Sequence, residues 1–131
     1  MGFSSYRDID AWKKARKLTG DVYQVTRSGG LRRDFGLRDQ MQRSAVSVMS
    51  NIAEGFGRGS NREFIQFLLQ ARASSLELQS HLYVAYDVRY ISEQQFDTLY
   101  DACGEVIALI TGLLSYLKSS NRKGYKFNEP K

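Results

Sequence analysis

The sequence predicts an all-α protein, an antiparallel up-down-up-down four-helix bundle. Two observations predict it: apolar residues recur at intervals of three or four along four long segments, and the single proline, Pro130, leaves those segments uninterrupted. Glycine-rich or capping sequences separate neighbouring segments. The predicted helices cover residues 9–28, 37–57, 61–89 and 93–118, within one domain of residues 1–118, and residues 119–131 form a flexible basic tail.

The first helix is predicted from an apolar side that follows a cap. Asp8 or Asp10 can accept hydrogen bonds from the free amides at its start. The pair Gly29-Gly30 ends it. The apolar side consists of Trp12, Ala15, Thr19, Val22, Tyr23 and Thr26.

The second and third helices are predicted to form a hairpin around a glycine-rich corner. Gly59 can adopt the left-handed conformation that a β-carbon disfavours. Ser60 and Glu63 form a capping box, in which the hydroxyl accepts from the amide of residue 63 and the carboxylate reaches back to the amide of residue 60. The spacing of Gly55, Gly57 and Gly59 does not match a dinucleotide fingerprint or a P-loop, so it indicates turn geometry rather than phosphate binding.

The fourth helix is predicted from a second capping box, Ser92 with Gln95, followed by a nearly continuous apolar side. Such a side is typical of a core helix. Cys103 lies within it, which predicts a small buried hydrophobe rather than a nucleophile. The side consists of Phe96, Leu99, Tyr100, Cys103, Val106, Ile107, Ile110, Leu113, Leu114 and Leu117.

Composition argues against several classes of protein. The one cysteine excludes a disulfide framework within the chain, and the one histidine, His81, excludes a di-iron site with its two Glu-x-x-His pairs. We therefore expect no catalytic residues, no metal and no cofactor. The longest apolar stretch, residues 106–117, is shorter than the roughly 20 residues of a membrane span, so we expect a cytoplasmic protein without a membrane partner.

The formal net charge of +5 is distributed unevenly. Residues 1–60 contain eleven lysines and arginines against six acids, residues 61–118 contain four against seven, and residues 119–131 contain four against one. Basic charge therefore lies near both ends of the chain, with an acidic segment between. This distribution is compatible with an anionic partner such as RNA or DNA, but not with a nucleic-acid binder that is uniformly coated with basic residues.

Basic residues on the first helix and in the segment after it form a candidate nucleic-acid surface, because cations beside a phosphate backbone release its counterions. The alternative is a solvated helix face. In the tail, basic residues alternate with Tyr125 and Phe127, which suits single-stranded nucleic acid, or else the tail only aids solubility. The candidate nucleic-acid-binding residues are Lys13, Lys14, Arg16, Lys17, Arg32, Arg33, Arg38, Arg43, Arg58, Arg122, Lys123 and Lys126.

The second and third helices carry a second apolar stripe beside the one that a bundle core requires. Exposed apolar surface of this extent indicates burial against another copy of the chain. The alternative is a hairpin that is buried on two sides within the monomer. The candidate oligomer-interface residues are Val46, Met49, Ala53, Ile65, Leu69, Leu76 and Tyr83.

A row of polar residues lies opposite those stripes. Either Arg43 and Arg58 contact phosphates, or the row forms a hydrogen-bonded network across a subunit boundary and fixes register. By chemistry alone such a face is most often only solvated, and of the two functional roles we slightly favour the network. Its candidate members are Ser47, Asn51, Glu54, Arg58, Ser74 and Glu77.

Several motifs in order resemble a known family. Arg43, Ser47, the run from Asn51 to Gly55, Gly57-Arg58 and Phe64 look like the signature of four-helix-bundle proteins of the 23S ribosomal RNA intervening-sequence type, a family that also resembles the accessory variability determinant of diversity-generating retroelements. The likeness extends from about Tyr6 to Leu117 and includes the Asp10-Ala11-Trp12 opening and the Tyr90-Ile91 corner. The resemblance implies a closed ring, usually a pentamer, and an association with nucleic acid.

The resulting hypothesis is a non-enzymatic homo-oligomer that binds nucleic acid through basic surface. The resemblance implies a role as accessory to a larger nucleic-acid enzyme such as a reverse transcriptase. The alternative is a protein-interaction scaffold with no nucleic-acid role.

Overall fold

The computed structural model describes residues 2–121, and all regular structure within that range is helical. The all-α prediction is confirmed. The predicted tail residues Arg122, Lys123 and Lys126 lie outside the described residues. A short 3₁₀ helix (Tyr6–Asp8) precedes five α-helices: α1 (Asp10–Thr26), α2 (Gly29–Arg33), α3 (Phe35–Gly57), α4 (Asn61–Asp87) and α5 (Glu93–Asn121).

The four long helices enclose one hydrophobic core. The main contacts join α1 with α3, α3 with α4, α4 with α5, and α5 with α1. Most of the predicted core sides are buried, because residues three and four apart share one side of each helix. The predicted core residues that are only partly buried are Thr19, Tyr23, Phe96, Tyr100, Ile107 and Leu113. The largest fully buried side chains include Leu18 of α1, Met41 and Ile52 of α3, Phe64, Leu68 and Leu78 of α4, and Ile110 and Leu117 of α5.

The caps at the two later corners agree with the sequence. Gly59 has a φ of 83°, in the left-handed region, and the Ser60 hydroxyl accepts from the Glu63 amide at 3.3 Å. The Glu63 carboxylate lies 3.4 Å from the Ser60 hydroxyl, whereas we expected it at the Ser60 amide. The second capping box is complete, because the Ser92 amide donates to Gln95 Oε1 at 2.8 Å and the Gln95 amide donates to Ser92 Oγ at 3.1 Å.

The start of α1 differs from the prediction. Ile9 is the N-cap residue and provides no side-chain hydrogen bond, so neither Asp8 nor Asp10 caps this helix. Asp8 instead closes a capping box with Ser5 around the 3₁₀ helix. Hydrogen bonds from the Ser4 hydroxyl and from the amides of Ser4 and Ser5 lower the pKa of Asp8.

A short helix that the sequence did not predict follows α1. The first helix ends at Thr26, with Arg27 as its C-cap, and not at Gly29-Gly30 as predicted. Gly29, with a φ of 62°, instead begins α2, where we expected a loop. Leu31 is fully buried and Arg32 and Arg33 are exposed. A single apolar residue therefore anchors a helical turn whose basic residues face solvent.

The last helix is longer than predicted. Residues Glu93–Ser120 are long and apolar enough to cross a membrane by length and composition, so the shortness of residues 106–117 does not exclude a span. The core helix of a soluble protein meets the same criterion. Here Leu99, Val106, Ile110 and Leu117 pack into the core.

Cys103 is expected to resist thiol reagents in the folded protein. The side chain is fully buried, and burial raises the pKa of its thiol to about 12, whereas the pKa of a cysteine in an unfolded chain is about 8.5. Because the pKa of the thiol is higher in the folded than in the unfolded chain, its contribution to the free energy of unfolding is fully present below about pH 8.5. That contribution decreases as the pH rises above this value. Mass spectrometry after iodoacetamide treatment at pH 8 should show labelling only in urea; rapid labelling without urea would contradict the burial.

Candidate nucleic-acid interface

The arginines of α2 lie where two distant parts of the chain meet. The Tyr90 hydroxyl, in the corner between α4 and α5, donates to Asp34 Oδ2 at 3.1 Å. The other carboxylate oxygen, Asp34 Oδ1, accepts from the Leu37 amide at 3.1 Å and caps α3. The hydrogen bond to Asp34 raises the pKa of Tyr90, because ionisation of the phenol would remove the donor of that bond.

Gly30 allows this close contact between α2 and the corner. A β-carbon at Gly30 would overlap the ring of Tyr90. The corner therefore packs directly on the first turn of α2, and a larger residue at position 30 would force the two apart.

Arg38 supports α2 rather than extending its basic surface. Its Nη1 donates to the carbonyl oxygen of Arg32 at 3.0 Å, and its Nε lies 3.2 Å from Asp39 Oδ1. The guanidinium also lies over the ring of Phe35, 4.7 Å from its centroid. Three partners thus hold Arg38 at the junction of α2 and α3.

The basic side chains of α1 are largely matched by neighbouring groups. Lys13, Lys14 and Lys17 lie 3.8, 3.7 and 3.2 Å from Asp10, Glu105 and Asp21 respectively. Arg16 lies over the Trp12 ring at 5.9 Å. Exposed pairs like these contribute little stability, but each carboxylate offsets the positive potential that a phosphate would meet.

Arg32 and Arg33 differ from those lysines. Within residues 2–121, no carboxylate lies within 4.0 Å of either guanidinium. Both side chains are exposed. We call this pair, with its support by Arg38, Asp34 and Tyr90, the arginine tip.

Arg43 and Arg58 lie away from the arginine tip. Arg43 lines the surface groove between α3 and α4. Arg58 pairs with Glu54 at 3.0 Å and lies over the Phe67 ring at 5.0 Å from its centroid. The structure therefore does not gather all predicted cations on one surface.

The predicted polar network forms partly within one chain. Ser47 of α3 and Ser74 of α4 share a hydrogen bond of 2.8 Å, and Asn51 Nδ2 donates to the carbonyl oxygen and hydroxyl of Ser47 at 2.8 and 3.0 Å. Glu77 lies 3.7 Å from His81 in the same groove. Only the Ser47–Ser74 bond joins α3 to α4, and the other contacts lie within single helices, whereas we expected the network to cross a subunit boundary.

Three of the predicted interface residues lie beside α1. Val46 is 38% exposed and lines a groove with Tyr23 of α1. Met49 and Ala53 are half-buried against the core. We call this set the α1–α3 face.

The other interface residues lie beside α5. Tyr83 packs on Phe96 and Tyr100, with ring centroids 4.9 and 5.5 Å apart. Leu76 and Leu69 precede it by two and four helical turns on the same side of α4. The exposed fractions are 38% for Leu69, 52% for Leu76 and 49% for Tyr83, while Ile65 is half-buried. This α4–α5 face and the α1–α3 face lie on either side of the polar groove.

Sequence reasoning missed Asp34 and Tyr90 as parts of the arginine tip, and it gave no binding role to Arg89, which precedes Tyr90. Tyr90 appeared only as part of a family-like corner, and its contact with Gly30 joins segments 60 residues apart, which no local pattern indicates. The third predicted helix ends at Arg89. The only sequence signal for a binding role of Arg89 is that it is a basic residue beside a turn.

Comparison with known proteins identifies both a family and a fold. Residues 7–112 match the family model for the 23S rRNA-intervening sequence protein. The fold resembles the crystal structure of a protein with unknown function from the S23 ribosomal protein family of Bacteroides thetaiotaomicron, with a TM-score of 0.75 and 20% identity over 80% of this chain and 95% of that chain. No curated protein sequence matches the chain significantly.

Proposed function

Because this chain belongs to the 23S rRNA-intervening sequence protein family, we propose that it is a non-enzymatic, oligomeric protein that binds nucleic acid through basic surface. The four long helices form an antiparallel up-down-up-down bundle, with α2 as an addition between the first two. The cyclic order of helix contacts and the short connections, which make neighbours antiparallel, support this arrangement.

One observation carries the nucleic-acid proposal: on a helix held by Arg38, the arginine tip presents two exposed guanidinium groups that have no carboxylate partner among residues 2–121. Guanidinium groups form paired hydrogen bonds with phosphate oxygens. A helix that is already held in place by other contacts also loses less conformational freedom on ligand binding than a mobile segment does. The cations of α1, each beside an acid or an aromatic ring, are secondary contacts.

The family's name refers to an intervening sequence of 23S rRNA, so structured RNA is the first ligand to test. The predicted similarity to the retroelement accessory determinant would make the protein a partner of a reverse transcriptase, and RNA–DNA intermediates then become further ligands. Structured RNA and RNA–DNA intermediates both have a phosphate backbone, which is the group that the arginine tip would contact.

The proposal is tested by fluorescence anisotropy with a stem–loop RNA and a duplex DNA, measured from about 50 to 200 mM salt. We expect log affinity to fall linearly with log salt, by about 0.9 per phosphate contact on duplex DNA. The double variant Arg32→Glu, Arg33→Glu should weaken binding on the order of 100-fold and make the slope shallower.

The matched control is Lys14→Glu, Lys17→Glu, which changes net charge by the same amount on α1. We expect it to weaken binding less than about 5-fold, because these lysines already face carboxylates. Equal losses for both double variants would indicate a general charge effect and overturn the assignment to the tip. Absent or salt-insensitive binding by the wild type would favour the alternative, a protein-interaction scaffold.

The proposed oligomer is a head-to-tail ring. Exposed apolar side chains occur on two different faces of the bundle, and a ring interface joins two different patches of the same chain. In this arrangement the α1–α3 face of one copy packs on the α4–α5 face of the next. The expectation of five copies comes from the family resemblance. A ring also repeats the arginine tip, which strengthens binding by avidity.

A further inference from the structure

Arg89 occupies a backbone position that favours glycine. Its φ is 67°, and it is the only non-glycine residue with positive φ among residues 2–121. The Arg89 amide donates to the carbonyl oxygen of Tyr86 at 3.0 Å and the Tyr90 amide donates to that of Ala85 at 2.8 Å. This pattern is a Schellman motif, in which glycine is usual at the left-handed residue because a β-carbon is disfavoured there.

The side chain of Arg89 is exposed and has no ion pair with any residue that the structure describes. Asp87 and Glu93 line the same surface cleft, but neither lies within the 4.0 Å of an ion pair in the described part of the chain. Neither a salt bridge nor a hydrogen bond within residues 2–121 therefore accounts for an arginine at this strained position. An outlier of this kind is a reason to look for a function.

The residue next to Arg89 makes the contact with the arginine tip. The Tyr90 hydroxyl bonds to Asp34 and its ring covers Gly30, while its carbonyl oxygen lies 3.9 Å from the β-carbon position of Gly29. Arg33 is close enough to act electrostatically on the Tyr90 hydroxyl. The backbone of Arg89 thus adjoins the helix that presents Arg32 and Arg33.

We propose that Arg89 contacts phosphate in the same nucleic-acid surface as Arg32 and Arg33. The proposal rests on the proposed function. It explains why a left-handed turn carries a long cationic side chain: the contact with nucleic acid offsets a conformation that lowers the stability of the free protein.

Arg89→Gly should separate binding from stability. Removing the β-carbon relieves the strained turn, so the melting temperature should rise by about 2–5 °C. Removing the cation should weaken stem–loop RNA binding about 5- to 10-fold near 100 mM salt and make the salt slope shallower. Arg89→Asn, which tolerates the left-handed region, should lose the same affinity, and Arg89→Lys should retain affinity within about 3-fold.

The control is Arg62→Gln, which removes one exposed positive charge at the other end of α4, about 40 Å away for a helix of 27 residues. It should change affinity less than 2-fold. If the wild type binds RNA, and Arg32→Glu, Arg33→Glu weakens binding but Arg89→Gly does not, this inference fails while the proposed function stands. A loss of both affinity and melting temperature in Arg89→Gly also overturns it. Absent binding by the wild type overturns both proposals.

Discussion

Gly55→Ala is expected to lower the free energy of unfolding by about 2 kcal/mol. Gly55 lies in the last turns of α3 and is buried against α4. A β-carbon there would lie 2.6 Å from Phe67 Cβ and 3.0 Å from Phe64 Cδ1. Because Phe67 Cβ is fixed to the α4 backbone, relief requires the two helices to separate, which also loosens the packing of the fully buried Phe64.

Gly57→Ala provides the matched control two residues later. Among residues 2–121, apart from its chain neighbours and the local helix backbone, no atom lies within 4 Å of its β-carbon position, and its φ is not positive. This change should raise stability by about 0.5–1 kcal/mol, because alanine favours the helix more than glycine does. Urea unfolding followed by circular dichroism at one protein concentration measures both variants. Equal effects of the same sign would contradict the assignment of Gly55 to helix contact.

Val46→Glu and Leu69→Glu are each expected to convert the proposed oligomer into a monomer of 15.0 kDa. Val46 lies on the α1–α3 face and Leu69 on the α4–α5 face, and both are 38% exposed in the single chain. A carboxylate that is buried at an interface without a partner costs several kcal/mol. We expect this cost to exceed the free energy that the other contacts of the interface provide. Light scattering during gel filtration measures the mass.

Mixing the two variants tests the head-to-tail arrangement. Each variant retains the face that the other has lost, so an equimolar mixture should form a heterodimer of twice the monomer mass and nothing larger. Gln66→Glu, Gln70→Glu adds the same kind of charge at exposed polar positions of α4 and should leave the wild-type mass unchanged. A monomeric wild type would refute self-association, and a mixture that stays monomeric would refute the ring arrangement.

The sequence predicted the long helices well, because each buries a side whose period is 3.6 residues. Met41, Val48 and Ile52 of α3 and Phe64, Leu68 and Leu78 of α4 are buried as expected. The turn chemistry at Gly59 and the Ser92–Gln95 box were also correct, since both depend on neighbouring residues only. These features depend on interactions between residues that are close in the sequence.

The site was predicted less well, because it depends on contacts between distant segments. The five residues of α2 are too few to show a period, and Gly29-Gly30 indicated only an end. Lys14 and Glu105 are far apart in the sequence, so no local pattern indicated that an acid lies beside this basic side chain of α1. The Ser47–Ser74 bond likewise depends on how α3 packs on α4.

Asp34 has a consequence for how the molecule opens. One carboxylate serves both as the cap of α3 and as the acceptor for Tyr90, so detaching the corner and fraying the start of α3 draw on the same group. We therefore expect local unfolding of either segment to weaken the other, so that this end of the protein opens as one cooperative unit. A ligand that clamps the corner would therefore also slow amide exchange in the first turn of α3.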